Sequence, residues 1–177
     1  MHIDLQPSLE NNLVKVRPLK STDFDALYEV AKDPLIWEQH QNTDRWKSAI
    51  FKDFFEDAID SKGAFVIIEK ATNKIIGSSR YKISENSSKA VEIGWTFLSR
   101  DYWGGVYNKS FKSLLISYAL KHFDHVLFHI NEANYRSQKA TEKLGGKQLE
   151  ANNPLKYLRS TKKGALTYII TKKVRRQ

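Results

Sequence analysis

At 177 residues, 41% hydrophobic and 28% charged, the chain has the size and composition of one globular domain able to bury a core without disulfides or metal staples. It has no cysteine, which excludes disulfides, thiolate metal sites and a cysteine nucleophile, and no apolar run nears the ~20 residues that span a membrane. The excess of 29 Lys and Arg over 20 Asp and Glu leaves a net charge of +9, which suits an anionic partner.

The start, Met1 to Pro7, carries neither a basic opening nor an apolar block, so a cytoplasmic location is expected. A strand is predicted over 13–19, where apolar and polar residues alternate. Ser21 or Thr22 then opens a helix whose buried stripe is Phe24, Leu27, Tyr28 and Ala31, and Asp33-Pro34 stops it. After a loop carrying Trp37 and His40, Thr43 is expected to cap a second helix through Trp46, Ile50, Phe54, Phe55, Ala58 and Ile59, ending near Gly63. Trp37, His40 and Trp46 could wall a site, but aromatics at such spacing more often pack in a core.

From Ala64 the period changes to two. Segments 64–69 and 74–83 read as a hairpin over Ala71-Thr72-Asn73, and 90–98 (AVEIGWTFL) as a third strand. It runs into "RDYWGGVYNKSFKS" at 100–113, where Gly104-Gly105 allows close backbone approach and Asn108 is expected to cap a helix. That helix places Phe111, Leu114, Leu115, Tyr118 and Ala119 on one face. A strand over 126–130, a helix over 136–144 closed by Gly145-Gly146, and a strand over 166–172 complete the chain. The predicted fold class is α/β, with a mixed, mostly antiparallel central sheet flanked by helices, forming one domain over 1–177 with its core in 13–172.

Strand, glycine loop and helix start together describe an anion site made of backbone amides, at Gly104, Gly105, Val106, Tyr107, Asn108 and Lys109. The chain here resembles the GNAT superfamily of acyl-CoA-dependent N-acetyltransferases, in the branch containing the ribosomal-protein N-terminal acetyltransferases. Three stretches carry the resemblance: EIGWTFL at 92–98, YWGGVYNKSFKSLL at 102–115 and NEANYRSQKATEKLGG at 131–146. The family's phosphate loop normally reads Arg or Gln, two residues, Gly, one residue, then Gly or Ala. Those positions are Trp103, Val106 and Asn108 here.

The resemblance implies acetyl-CoA as acyl donor, its diphosphate on the loop amides and its pantetheine arm along unpaired backbone of Phe97, Leu98 and Ser99. It further implies that Asn134 bonds the pantetheine, that Ser137 protonates the departing thiolate, and that Arg136 meets phosphate. Glu92 is the candidate base: alternation puts Val91, Ile93 and Trp95 on one face and Glu92, Gly94 and Thr96 on the other, with the carboxylate beside the space Gly94 leaves. A solvent-facing glutamate and plain helix capping by Ser137 are the structural alternatives, and Tyr168 is a second candidate acid.

The expected activity is direct acetyl transfer to a primary amine, on a protein N-terminus or a small molecule. The alternative is an inactive CoA-binding or sensor module of the same fold. No metal is expected, because the five histidines lack ligand spacing. Lys162, Lys163, Lys172, Lys173, Arg175 and Arg176 form a basic C-terminal end that reads as a solvated tail, so nucleic acid is not an expected partner. The sequence leaves a homodimer open.

Overall fold

The computed structural model describes residues 3–172; the basic residues Lys173, Arg175 and Arg176 lie outside this range. The strands are β1 (Leu9–Glu10), β2 (Val14–Pro18), β3 (Ala64–Glu69), β4 (Lys74–Ser84), β5 (Ser87–Leu98), β6 (His125–Asn131), β7 (Lys147–Gln148) and β8 (Ala165–Thr171). The helices are α1 (Phe24–Ala31), α2 (Ser48–Asp60), α3 (Tyr107–His122) and α4 (Tyr135–Lys143). One sheet runs β1-β2-β3-β4-β5-β6-β8-β7. Only β5 and β6 pair in parallel, so the sheet is mixed and mostly antiparallel, as the sequence predicts. Among the described residues no helix is long and apolar enough to cross a membrane.

Two cores sit on opposite faces of this sheet. On one, Val16, Phe65, Ile67, Tyr81, Val91 and Ile93 pack against Phe111, Leu115 and Ala119 of α3. On the other, Val66, Ile68 and Phe97 pack against Leu27 and Ala31 of α1 and Phe51 and Phe55 of α2. The periodicity of both α1 and α3 is thereby accounted for, since their apolar stripes are what the sheet buries. The second helix departs from expectation. It begins at Ser48 behind Lys47, with no side-chain cap, and Thr43 belongs to the preceding loop. Trp37 is 1% exposed and donates from Nε1 to the Ala31 carbonyl at 2.7 Å, which makes it core. Trp46 lies at the surface.

β5 carries the feature that opens the fold. Its pairing with β4 matches Arg80 to Gly94 and then Ser78 to Phe97, so one residue is extra on β5. Trp95 takes that position with φ of 51°, a left-handed backbone that a bulky residue adopts only when packing holds it there. Alternation therefore holds from Val91 to Gly94 and reverses afterwards: Ile93 and Leu98 share the α3 core while Phe97 joins the other. The expected placement of Trp95 and Thr96 is corrected accordingly. The Arg80 guanidinium lies 4.7 Å from the Trp95 ring centroid, on the α2 side. Thr96 Oγ1 reaches Ser79 at 2.9 Å and Lys112 of α3 at 2.7 Å. Pairing with β6 covers only Ala90 to Glu92, so beyond Glu92 the strands diverge. A bulge bends its strand, which is the physical reason for the gap.

Candidate active site

The gap opens into a cavity of about 690 Å³ that runs from the glycine loop past Asn134 and Ser137 to Glu92 and Arg45. At its loop end, α3 begins at Tyr107 with Val106 in the cap position and no side chain capping it. Asn108, expected as the cap, lies inside the first turn. Valine is among the poorest caps, so the helix presents bare N–H groups and the positive end of its dipole. Gly104 has φ of 70°, and a Cβ at Gly104 or Gly105 would meet nothing within 4 Å. Asn108 and Lys109 line the cavity beside this open space, whereas Val106 is largely exposed.

The loop is held from behind by Glu69 at the end of β3. Its carboxylate accepts from Tyr102 at 2.9 Å, Tyr107 at 2.6 Å and Thr72 at 2.6 Å. Thus the two tyrosines that flank the glycines are tied to one anchor. The three hydroxyls, Thr72 foremost, hold the Glu69 carboxyl below its ordinary range. A lowered carboxyl contributes stability that is present above the unfolded-state pKa and lost as pH falls through the folded one. Glu69→Gln is therefore expected to lower the melting temperature at pH 7 and to converge with the wild type in acid; melting curves from pH 7 downward check this.

Of the three residues expected to offer free backbone, the register leaves one. Ser99 N–H donates to the Ile76 carbonyl at 2.8 Å, and the paired residues Ser78 and Phe97 stand next to it in the ladder. Because hydrogen-bonded and non-bonded pairs alternate, the amide and carbonyl of Leu98, opposite Gly77, point away from β4 into the gap. The Leu98 carbonyl accepts from Trp103 Nε1 at 2.9 Å, which leaves the Leu98 amide as the exposed donor. Phe97 and Ser99 spend theirs on β4.

At the start of α4, Asn134 is the cap: its Oδ1 accepts from the Ser137 N–H at 3.0 Å. Asn134 is 6% exposed and lines the cavity, and its Nδ2 makes no hydrogen bond among the described residues. Ser137 occupies the first turn of the helix and does not cap it; its hydroxyl likewise has no partner among the described residues. Arg136 stacks on Trp103, 3.8 Å from the ring centroid, and donates to the Ile36 carbonyl at 3.3 Å. It ties α4 to the glycine loop. Tyr168 is buried with its hydroxyl 3.3 Å from Glu142 and does not line the cavity, so it is removed as a candidate acid.

Glu92 lies where alternation put it. Its Oε1 occupies the space over Gly94, 2.8 Å from where a Cβ would stand. Burial pushes its carboxyl up to about 7, against the pull of Lys162, Lys82, Arg80 and Lys112. Lys112, which the sequence places with Lys109 near the anion end of α3, is instead buried nearby. Lys112 is 7% exposed, its Nζ bonded only to Thr96 Oγ1 and set 5.3 Å from the Phe128 ring centroid. Burial brings this ammonium down to about 7, with Glu92 opposing the shift. Its signal was position, one residue beyond Phe111 and four before Ile116, inside the buried arc of α3. Acid and amine are therefore both poised to lose or take a proton near neutrality. Among the described residues no group of three or more His, Cys, Asp or Glu could hold a metal.

Residues 14–147 match the acetyltransferase (GNAT) domain family. The fold is shared with a GCN5-related N-acetyltransferase from Brucella melitensis, at 16% identity and TM-score 0.76 over 94% of this chain and 79% of that one. A GNAT-family acetyltransferase from Bacillus anthracis matches at 15% identity and TM-score 0.71 over 94% and 99%. RimJ from Mycobacterium smegmatis, solved with CoA-disulfide, matches at 14% identity and TM-score 0.66 over 89% and 81%. No curated protein matches the chain by sequence. A sheet split after Glu92, with a bare helix end beside the split, defines an acyltransferase architecture. The chain belongs to the GNAT family of N-acetyltransferases.

Proposed function

We propose that the chain moves an acetyl group from acetyl-CoA directly to a primary amine, on a protein N-terminus or a small molecule. The observation that carries this reading is the uncapped start of α3 beside two glycines with open space, at one end of a cavity whose other end holds Glu92. The donor's diphosphate fits the amides of Gly104 to Lys109, which need an anion and have no side-chain cap. Its pantetheine amides fit the Leu98 amide and Asn134 Nδ2. Bound there, the donor supplies an activated carbonyl on a good leaving group.

Glu92, with its raised carboxyl, takes the proton that the attacking ammonium must lose. The Leu98 amide stabilises the oxygen on which charge develops. As the C–N bond forms and the C–S bond breaks, the Ser137 hydroxyl gives its proton to the sulfur and takes in its place the second proton that the acylated nitrogen sheds. With no cysteine in the chain, a cysteine-bound acyl intermediate has no place in the sequence of events. The competing reading, a module that binds CoA without catalysis, draws on Val106 and Asn108 in place of small residues.

Calorimetric titration with acetyl-CoA tests the donor site. Micromolar binding is expected for the wild type, weakened about 10-fold in Asn134→Ala by loss of one buried hydrogen bond. Absence of micromolar binding by the wild type would refute the donor site, and binding without turnover across a broad amine panel would favour the non-catalytic module.

A further inference from the structure

Resting on that reading, we infer that the acceptor amine carries an anionic group, a carboxylate or a phosphate ester, and that Arg45 receives it beside the buried Arg80. Arg80 is directly opposite Gly94 across β4 and β5, on the face that Glu92 occupies. Its guanidinium lies near Phe54 and Trp95, 5.8 and 4.7 Å from the ring centroids. Nη1 donates to Asp57 at 2.6 Å, yet Nε and Nη2 are buried and have no partner. The residue is 4% exposed and does not itself line the cavity. Buried guanidinium N–H groups left unpaired are costly, and a native protein rarely keeps two of them without a use.

Arg45 lies against the same aromatic ring, its guanidinium 4.6 Å from the Phe54 centroid, and it lines the cavity. It makes no hydrogen bond or ion pair among the described residues. Burial and the Arg80 charge both disfavour its cation, with Asp57 opposing them in part, so an anion between or beside the two would relieve a repulsion already built into the protein. No neighbouring carboxylate bonds Arg45 among the described residues. His40, also lining the cavity, is held neutral by burial, its pKa brought down to about 4. Asp57 is spent on Arg80 and is 69% exposed, and Glu38 is engaged by Arg136. The cations exceed the carboxylates on the wall facing Glu92, which also disfavours polyamine acceptors carrying a second positive charge. Since Arg80 and Glu92 share one strand pair, the anion and the reacting nitrogen are separated by a short chain, as in an amino acid or an aminoalkyl phosphate.

Two measurements test the assignment. The first needs no catalysis: melting temperatures in millimolar phosphate and in millimolar succinate, each against chloride at equal ionic strength. At least one anion is expected to raise the wild-type value, and to raise that of Arg45→Gln less. Phosphate held on the α3 end stabilises both proteins equally, so only the difference between them counts: an equal rise in wild type and Arg45→Gln overturns the assignment, as does no rise with either anion. An Arg45-dependent rise with succinate alone identifies the carboxylate source, and one with phosphate alone the phosphate source.

The second compares transfer to β-alanine, β-alaninamide, 2-aminoethyl phosphate and ethylenediamine. An anionic amine is expected to exceed the uncharged amide by about 10- to 100-fold in kcat/KM, falling to near parity in Arg45→Gln. Equal use of the amide by the wild type overturns the assignment. Absence of turnover with every amine counts against acetyl transfer itself, while the melting experiment still decides the anion site. Arg80→Leu tests the buried member, and Arg45→Gln keeps the test valid if that variant does not fold.

Discussion

Glu92→Gln is expected to lower kcat by about 100- to 1,000-fold, the range a positioned base contributes, and to abolish the rise in rate through neutral pH. The sign follows from the direction of the shift. Burial raises the carboxyl to about 7, so the carboxylate that accepts a proton is scarce below that value and dominant above it. The wild-type rate should climb through this range and level off. Glutamine fills the same space over Gly94 and keeps the strand intact, so melting behaviour separates a lost base from a lost fold. Its stability should also respond differently to pH: a carboxyl easier to protonate when folded penalises the native state as pH rises above about 4.5, and the variant escapes that penalty. A pH-rate profile identical to wild type would exclude Glu92 from proton transfer.

Lys112→Met is expected to make the protein more stable while moving the activity profile. Methionine matches the lysine stem in length and suits the contact with Phe111 and Phe128. The folded ammonium titrates at about 7, against 10.5 for an ordinary lysine. Between these values the unfolded chain binds the extra proton, so wild-type stability rises with pH and the penalty is fully present below about 7. Removing it is expected to gain on the order of 2–4 kcal/mol at pH 6, shrinking to little at pH 10. Denaturant titrations at the two pH values measure the difference. Because Lys112 also pulls the Glu92 carboxyl down, its loss should shift the rising limb of the rate profile to higher pH. A limb that stays in place would mean the two groups do not share a field.

Much of this arrangement was legible because periodicity held. The stripes of α1 and α3 are buried as their spacing requires, and Glu92 and Gly94 share a face because they precede the bulge. Asn134, at the head of a helix with Ser137 three residues on, is a cap by local chemistry alone. What could not be read has physical reasons. A bulge at Trp95 carries no glycine or asparagine to announce a left-handed backbone. Lysines and arginines are expected at the surface, so the burial of Lys112 and Arg80 depends on contacts far along the chain. Arg45 sits on a loop whose path no pattern encodes. Asn108 misled because cap preference favours it, whereas the helix starts earlier and is left bare. The two-residue strands β1 and β7 are too short to show a period.

The extra residue in β5 has a meaning for chain length. Deleting one residue at 95 would restore unbroken alternation, keep Phe97 toward α2 and Leu98 toward α3, and let the strand run straight beside β6. The deletion would leave both cores matched and close the cleft alone, although every remaining side chain would be one the site already uses. The opening is thus specified by counting, and a change in tally there is more damaging than a change in chemistry.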